Sequence, residues 1–329
     1  MTSQTLDQWN AHGSLAQRAA DIFTDTQNPQ LQTRADRMRS CLRSLKVYTD
    51  GHFWPAYACA DPICPCCQGR RARVTGKYLN GLRNLLAAND GQQLVSACFT
   101  VRNIPPQYLR AEVIDITTAF NSGFLRSLKY RLDATPSYIR KLEVTRAADG
   151  TAHPHIHALF ALPEGTTDNL SLSQMWQDAG KLGYTPDVYW HVIPESAPIA
   201  EVTRELRYVL KQPLQITHAM LNDPAFLLAA ASSLSGIRTT SAGGAFRQFA
   251  EQRRSEPFAD SAISGVRLEW TGNEYWPFRG GRFQLRQARV LNYSEVLLET
   301  MLRSQPWNKK CPSFNRGHSR GISGWADSS

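Results

Sequence analysis

The chain has 329 residues, of which 42% are hydrophobic and 20% charged; this suffices for a packed core and excludes a largely disordered chain. Its formal net charge of +9 at pH 7 favours an anionic partner, most commonly nucleic acid. There is no run of about 18 apolar residues to span a membrane, and residues 1–8 lack the basic start and apolar core of a signal peptide. We therefore expect a cytoplasmic protein with no membrane partner.

The N-terminal arm, residues 1–35, shows no residues suited to catalysis or to ion binding. A helix is predicted within it at Ser14–Phe23, and the rest has the composition of a polar link. The chemistry of the chain therefore begins after this arm.

A cysteine cluster follows the arm. Four of the seven cysteines lie in residues 59–67, where Cys64 and Cys67 have the Cys-x2-Cys spacing of structural zinc sites. Cys41 precedes a turn signal at Asp50-Gly51 that is flanked by β-forming residues, and a hairpin there brings Cys41 nearly opposite the start of the cluster. Clustered thiols in a reducing compartment usually bind metal. We expect a structural Zn²⁺ site with the ligands Cys41, Cys59, Cys64 and Cys67.

Alternatives remain for this cluster. Cys66 and His52 compete for the fourth ligand position, and some of the cysteines could be buried without a metal. Cys98 lies in an apolar run and is predicted to be a core residue. The basic run at residues 69–73 suits either phosphate contacts or a solvated helix face.

An apolar strand and a long helix come next. Residues 94–101 are almost uniformly apolar, which predicts a central strand buried on both faces. A helix is predicted over residues 109–132, because apolar residues recur there at helical spacing. Its core stripe consists of Val113, Ile116, Ala119, Phe120, Phe124 and Leu128.

Three histidines alternate along a later strand. His153, His155 and His157 occupy every second position, so their rings project from one side of a sheet. A lone histidine on a strand is usually structural, but two imidazoles spaced in this way can bind one metal ion. His153 precedes Pro154, which marks the start or edge of a strand.

A hairpin supplies a carboxylate to the same site. A strand is predicted at residues 138–145, and a polar loop with a turn signal at Asp149-Gly150 joins it to the histidines. This hairpin places Glu143 opposite His155, to within one residue of register, and cross-strand neighbours have close Cβ atoms. Two imidazoles and a carboxylate accept Mg²⁺ or Mn²⁺ in company with phosphate oxygens. We expect this ion to be held by His155, His157 and Glu143, with His153 as a further candidate.

A tyrosine lies on an amphipathic helix that is predicted over residues 200–212 and ends at Pro213. Its apolar face carries Val202, Leu206, Val209 and Leu210, and the opposite face carries Tyr208, Lys211, Arg204, Glu201 and Glu205. A free phenol has a pKa of about 10 and is a poor nucleophile without a neighbouring cation or a polarised phosphate. A surface helix with ion pairs one turn apart is the alternative interpretation.

Together these residues resemble the rolling-circle replication initiators of small plasmids, within the HUH endonuclease superfamily. The resemblance covers roughly Cys41 to Phe249, and the motifs come in the family's order. The zinc motif is similar to Cys41…Cys59-x4-Cys64-Pro65-x-Cys67, the first strand motif to Phe99–Asn103, the metal motif to Leu142–Thr145 with His153–His157, and the tyrosine motif to Arg207-Tyr208-x2-Lys211.

The resemblance implies an α+β fold, with a central antiparallel sheet, metal-binding histidines on its middle and flanking helices. It also implies that Tyr208 attacks one strand of a plasmid origin, becomes joined to the 5′ phosphate and frees a 3′ hydroxyl that primes synthesis. Lys211 would stabilise the developing charge. Origin DNA, a host helicase and a host polymerase are the implied partners.

The chain departs from the family at one position. Relatives with a single tyrosine tend to use a glutamate one helical turn before it to activate water for the terminating cleavage, and this chain has Arg204 there. The role could pass to Glu205 or to Glu201. Tyr184 and Tyr189 lie outside the motif and are not predicted to be nucleophiles.

We predict four segments: the arm, a zinc-binding module at residues 36–76, a nuclease domain at 77–250 and a C-terminal extension at 251–329. The extension mixes aromatic and basic residues, which suits accessory DNA binding or the packing of a small subdomain. Three alternatives to an initiator remain: a relaxase or transposase of the same superfamily, a metal-dependent hydrolase of small molecules, and a zinc-dependent DNA-binding protein without catalysis. The hydrolase lacks support, because no repeating βα pattern is visible.

Overall fold

The computed structural model describes residues 6–48, 53–67, 91–166, 171–194, 197–209, 212–247, 263–272 and 275–277. These residues form a five-stranded antiparallel sheet, a four-stranded antiparallel sheet and flanking helices. The predicted α+β class with a central antiparallel sheet is confirmed.

Two helices precede the sheets: α1 (Leu6–Thr24) and α2 (Pro29–Leu42). The predicted helix at Ser14–Phe23 lies within α1, but the polar link predicted after it is wrong, because α2 occupies that stretch. Asn28 caps α2 by accepting hydrogen bonds from two backbone N–H groups, and Pro29 stands in its first turn. The buried side chains of α2 recur at helical spacing: Leu31, Arg34, Ala35, Met38, Cys41 and Leu42.

The smaller sheet joins distant parts of the chain. Its strands are β1 (Ser44–Tyr48), β2 (Phe53–Pro55), β8 (Ile263–Trp270) and β9 (Tyr275–Pro277), in the order β2-β1-β8-β9. The antiparallel β1–β2 pair confirms the predicted hairpin, although Asp50-Gly51 lies outside the described residues. β8 pairs with β1, so strands from the predicted zinc module and the predicted extension share a sheet. The four segment boundaries remain a prediction.

The central sheet has the order β6-β3-β5-β4-β7. Its strands are β3 (Gln92–Thr100), β4 (Ser137–Arg146), β5 (Ala152–Pro163), β6 (Val188–Ile193) and β7 (Thr240–Gly243). Because side chains alternate along a strand, every second residue of these strands shares one face. We call the face that carries Cys98, Glu143, His155 and His157 the histidine face.

Helices cover the opposite face. The predicted helix over residues 109–132 is confirmed as a continuous helical stretch, built from α3 (Leu109–Thr118), a π-helical segment (Ala119–Phe124) and α4 (Leu125–Leu132). The six residues of its predicted stripe are all buried. This helical stretch and α5 (Leu172–Gly180) enclose an aromatic core of Phe99, Phe120, Phe124, Phe160 and Trp176. The ring centroids of Phe99 and Phe124 are 4.6 Å apart.

One helix packs on the histidine face. α6 (Ile199–Val209) buries Leu206 and Val209 in a second hydrophobic cluster with Leu94, Leu159 and Ile193 of the sheet. The short α7 (His218–Leu221) and α8 (Pro224–Ser233) complete the described helices. Among the described elements, helices cover one face of the sheet and α6 covers part of the other, so a functional site on the histidine face would lie beside α6.

Candidate metal and tyrosine site on the central sheet

The histidine strand lies in the middle of the central sheet. β5 pairs with β4 on one side and with β3 on the other. Glu143 is the direct cross-strand partner of His155, which confirms the predicted hairpin register, and Cys98 is the partner of His157. The strands therefore bring one carboxylate and two imidazoles together without any contribution from a loop.

Among the three predicted ligands, both histidine rings contact the same carboxylate oxygen of Glu143. Glu143 Oε2 lies 3.2 Å from His155 Nε2 and 2.9 Å from His157 Nε2, and Glu143 and His155 are both buried. His155 Nδ1 lies 3.1 Å from the carbonyl oxygen of His153. Since a carbonyl oxygen only accepts, this contact places the proton on Nδ1 and turns the Nε2 lone pair toward Glu143. A lone pair facing a carboxylate oxygen is repulsive unless a proton or a cation lies between them, so the residues fit a divalent ion.

Two neighbours of this trio differ from expectation. His153 Nδ1 lies 2.7 Å from Asn103 Oδ1, and burial together with the neighbouring His155 lowers the pKa of His153. The side chain of His153 therefore contacts Asn103. The sulfur of Cys98 lies within 4.8 Å of a ring nitrogen of His155 and of His157, so this thiol is grouped with the other two histidines. Cys98 was predicted to be a core residue, and this is wrong: it is half-buried on the histidine face.

The predicted nucleophile lies beside these histidines. Tyr208 projects from α6, and its ring centroid is 5.7 Å from that of His157. The side chain is 46% exposed, while Leu206 and Val209 of the same helix are buried. The helix is therefore anchored to the sheet with the phenol at an open edge. Lys211 lies outside the described residues.

Glu205 does not lie on the charged outer face of α6, where the amphipathic pattern placed it. Glu205 is buried, with 11% of its side chain exposed. Glu205 Oε2 accepts a hydrogen bond of 2.8 Å from the hydroxyl of Ser96, its Oε1 accepts one of 3.3 Å from Arg204, and His191 Nε2 is 3.9 Å from Oε1. Glu205 lies at the border of the apolar stripe of α6. The hydrogen bond from Ser96 offsets part of the cost of burying its carboxylate.

The sequence reasoning missed several polar residues of the histidine face, among them Ser96 on β3, Lys141 on β4, and Tyr189 and His191 on β6. Ser96 pairs with His191, and Cys98 pairs with Tyr189. The alternation along residues 94–100 was the available signal, but an almost uniformly apolar run hides it. Glu201 is more exposed than Glu205, and its carboxylate lies 3.5 Å from Arg204.

The four predicted zinc ligands are also brought together. The sulfur atoms of Cys41, Cys59, Cys64 and Cys67 all lie within 4.8 Å of one another, and all four side chains are buried. Cys67 Sγ is 3.6 Å from the sulfurs of both Cys41 and Cys59. A tetrahedral site with Zn–S bonds of about 2.3 Å has sulfur–sulfur edges of about 3.8 Å, so the spacing fits zinc.

The four thiols of this cluster affect one another's pKa values in opposite directions. Hydrogen bonds from neighbouring thiols, that of Cys59 foremost, lower the pKa of Cys41. The contact with Cys41 and burial raise the pKa of Cys64. Cys66 is buried in the same place and contacts Cys41 and Cys64, whereas His52 lies outside the described residues.

The fold and site define an α+β protein whose central sheet carries a His–His–Glu cluster beside an exposed tyrosine, together with a separate four-thiolate cluster. The chain belongs to the replication protein family, whose model matches residues 52–269. This confirms the family predicted from the cysteine, histidine and tyrosine motifs.

Three curated relatives are each named "Protein rep". The relative from Streptococcus pneumoniae is 28% identical over 195 residues, which are 55% of this chain and 59% of that protein. The relative from Lentilactobacillus hilgardii is 24% identical over 243 residues, 68% of this chain and 76% of that protein. The Staphylococcus aureus relative is 22% identical over 162 residues, 45% of this chain and 69% of that protein. No solved structure matches the chain.

Within the part of the chain that the structure describes, none of the helices has the length and apolar character needed to cross a membrane.

Proposed function

We propose that this protein initiates plasmid replication by nicking one strand of origin DNA, with Tyr208 as the nucleophile and a divalent ion at the histidine site. The observation that carries the proposal is the placement of the Tyr208 ring 5.7 Å from His157, which shares the Glu143 carboxylate with His155. An exposed phenol beside a cluster of metal-ligand type is the arrangement that phosphodiester transesterification requires.

His155, His157 and Glu143 would hold Mg²⁺ or Mn²⁺, which supplies Lewis-acid polarisation of the scissile phosphate. Their burial keeps the donor atoms in place before DNA binds. The contact between His155 and the His153 carbonyl sets the imidazole tautomer, so the ligand geometry is prepared by the sheet itself.

In the cleavage step a bond forms between the Tyr208 oxygen and phosphorus, and the bond from phosphorus to the 3′ oxygen breaks. The phenolic proton is lost, and the leaving 3′ oxygen takes up a proton to become the 3′ hydroxyl that primes synthesis. The product is a 5′-phosphotyrosine link. We assign to Lys211 the stabilisation of charge on the phenolate or the phosphate.

We assign the activation of water in the terminating cleavage to Glu205. The support is its position on the sheet side of α6, three residues before Tyr208, where it accepts a hydrogen bond from Ser96 of the histidine face. Glu201 is the alternative, but its side chain is 34% exposed, against 11% for Glu205.

The remaining assignments follow from this role. Cys41, Cys59, Cys64 and Cys67 would hold a structural Zn²⁺ ion, and the sulfur spacing supports this. Origin DNA, single-stranded at the nick, is the proposed substrate, and a host helicase and polymerase would extend the freed 3′ end.

The test is incubation of the purified protein with supercoiled plasmid and with a single-stranded origin oligonucleotide, in Mn²⁺ or in EDTA, followed by denaturing gels. We expect a nick that depends on the metal and a covalent protein–DNA adduct. Tyr208→Phe should abolish both, lowering cleavage by at least about 10³-fold because no nucleophile remains. Tyr130→Phe, an exposed tyrosine on α4 across the sheet, should cleave as the wild type does.

Binding of the cognate origin without cleavage in any metal would contradict the nuclease and favour a zinc-dependent DNA-binding protein. Adduct formation by Tyr208→Phe would contradict the assignment of the nucleophile alone.

A further inference from the structure

An exposed tyrosine lies on the histidine face at the edge of the central sheet. Tyr189 belongs to β6, the edge strand, and pairs with Cys98, which pairs in turn with His157. His157, Cys98 and Tyr189 thus form one row across three strands, on the face that carries the proposed nucleophile. The neighbouring residue of β6, Val188, is buried on the opposite face, whereas Tyr189 is 65% exposed.

The distance along this row suits a bound DNA strand. Adjacent strands are about 4.8 Å apart, so the backbones of His157 and Tyr189 are separated by roughly 10 Å. That length corresponds to about three stacked nucleotides at 3.4 Å each, and to fewer in an extended strand. A strand whose phosphate lies at the histidine site and which continues toward β6 brings a base over Tyr189.

The ring of Tyr189 is held in a way that suits stacking. Its centroid lies 5.7 Å from that of His191, two residues along the same strand, at an interplanar angle of 50°. His191 in turn lies 3.9 Å from Glu205, which α6 holds against the sheet. One side of the phenol thus has an aromatic neighbour, while most of its surface faces solvent.

We propose that Tyr189 stacks on one nucleobase of the DNA strand next to the scissile phosphate, and thereby positions that strand across the histidine face. The inference rests on the proposed function, since it takes single-stranded DNA as the ligand. Stacking on an aromatic ring requires no hydrogen-bond pattern, so this subsite contributes affinity and register with little preference for a base. Tyr189 is a positioning residue, and the reacting atoms remain those at Tyr208 and the histidine site.

The experiment uses the full chain and single-stranded origin oligonucleotides that carry 2-aminopurine at one position at a time on either side of the nick. Titrations are made without added Mg²⁺ or Mn²⁺ and without a chelator, so that binding is measured without cleavage and the cysteine site keeps its metal. We expect quenching of the fluorescence at one position, because 2-aminopurine loses emission when it stacks. Tyr189→Ala should lose this quenching and bind the oligonucleotide about 5- to 150-fold more weakly, the range for loss of one base–aromatic stack.

Two control variants separate stacking from other effects. Tyr189→Phe keeps the ring and should quench and bind like the wild type. Tyr130→Ala removes a tyrosine that is 88% exposed but lies on α4, across the sheet, and should leave both signals unchanged. In the nicking assay with Mn²⁺, Tyr189→Ala should raise KM and leave kcat within a few-fold, because the reacting groups are intact.

Equal affinity of Tyr189→Ala and the wild type, with the quenching retained, would overturn the proposal. So would an adduct that survives in Tyr208→Phe and disappears when Tyr189→Phe is added, since Tyr189 would then be a nucleophile. Loss of quenching in Tyr189→Ala in a protein that never nicks would support the stacking subsite while refuting the proposed nuclease, so the two failures are distinguishable.

Discussion

At the scale of single residues, two ion pairs of nearly equal length differ in their burial. Arg34 Nε lies 2.8 Å from Asp61 Oδ2, with both side chains at or below 10% exposure. Arg39 Nη2 lies 2.9 Å from Asp21 Oδ1, with the side chains 36% and 53% exposed. Water screens the second pair and not the first, so the two contribute differently to stability.

We expect Asp61→Asn to lower the free energy of unfolding by about 3–5 kcal/mol, because it leaves the Arg34 charge buried without a counter-ion. Asp61 also accepts a hydrogen bond from the backbone N–H of Ile63, which the amide oxygen of asparagine can keep, so the loss measures the missing charge. Asp21→Asn, the matched exposed pair, should cost about 1 kcal/mol or less. Urea unfolding of the three proteins at one pH measures both values.

The double replacement Arg34→Met with Asp61→Leu checks the explanation. It removes both charges together, so it should recover much of the stability that Asp61→Asn loses. Equal losses for Asp61→Asn and Asp21→Asn would show that burial does not decide the contribution of these pairs.

At the scale of elements, the π-helical segment meets α5 through a glycine. A Cβ atom added to Gly123 would lie 2.7 Å from the Cβ atom of Ala179, closer than two carbon atoms tolerate. The absence of a side chain therefore allows the helix layer to pack closely against α5 on the face opposite to the histidines. This contact supports the aromatic core under the site.

Gly123→Ala should destabilise the protein, because overpacking costs about 1–3 kcal/mol whereas the gain in helix propensity is only about 0.5–1 kcal/mol. Gly183→Ala is the matched control, since nothing lies within 4 Å of the Cβ position there. Thermal denaturation should show a lower midpoint for the first variant and little change for the second. A stabilised Gly123→Ala would mean that the two helices can move apart at no cost.

At the scale of the whole molecule, the cysteine cluster connects the N-terminal helices to the segment that follows α6. Cys41 lies in the last turn of α2, and Arg34 of α2 donates hydrogen bonds to Asp61 near the cluster and to the carbonyl oxygen of Ala231 in α8. The buried Gln212, which follows α6, donates a hydrogen bond of 2.7 Å to the carbonyl oxygen of Cys64. Backbone around the cluster is thus bonded to the segment that leaves α6.

If the cysteine cluster holds the proposed zinc ion, chelation should lower the unfolding midpoint by about 10 °C or more, as a loss of several kcal/mol implies for a protein of this size. Amide exchange in α6 should rise at the same time, because Gln212 loses a fixed partner. Cys41→Ser should bind less zinc and reproduce both effects. Cys98→Ser, at the histidine site, should retain the zinc content, which metal analysis measures directly.

An unchanged unfolding midpoint after complete removal of zinc would contradict a structural role for the ion. A lower midpoint without a change in the exchange of α6 would contradict only the coupling through Gln212.

The sequence by itself determined the features that depend only on residues close together in the chain. Alternation along β5 put the histidine rings on one face, and the short β4–β5 hairpin set Glu143 opposite His155, because strand period and turn position are properties of neighbouring residues. The cysteine spacing predicted a cluster that the structure confirms. The long helix after β3 followed from its apolar stripe.

Only the tertiary structure decided which residues from distant segments share a surface. The Glu205 carboxylate is buried against the sheet because the hydroxyl of Ser96, from a distant segment, donates a hydrogen bond to it. Helical periodicity cannot reveal that partner. Tyr189 lies in the row of His157 because β6 pairs with β3 in one particular register. The pairing of β8 with β1 is likewise non-local. Such contacts depend on loop closure and on the competition among partners for burial, which no single stretch of sequence contains.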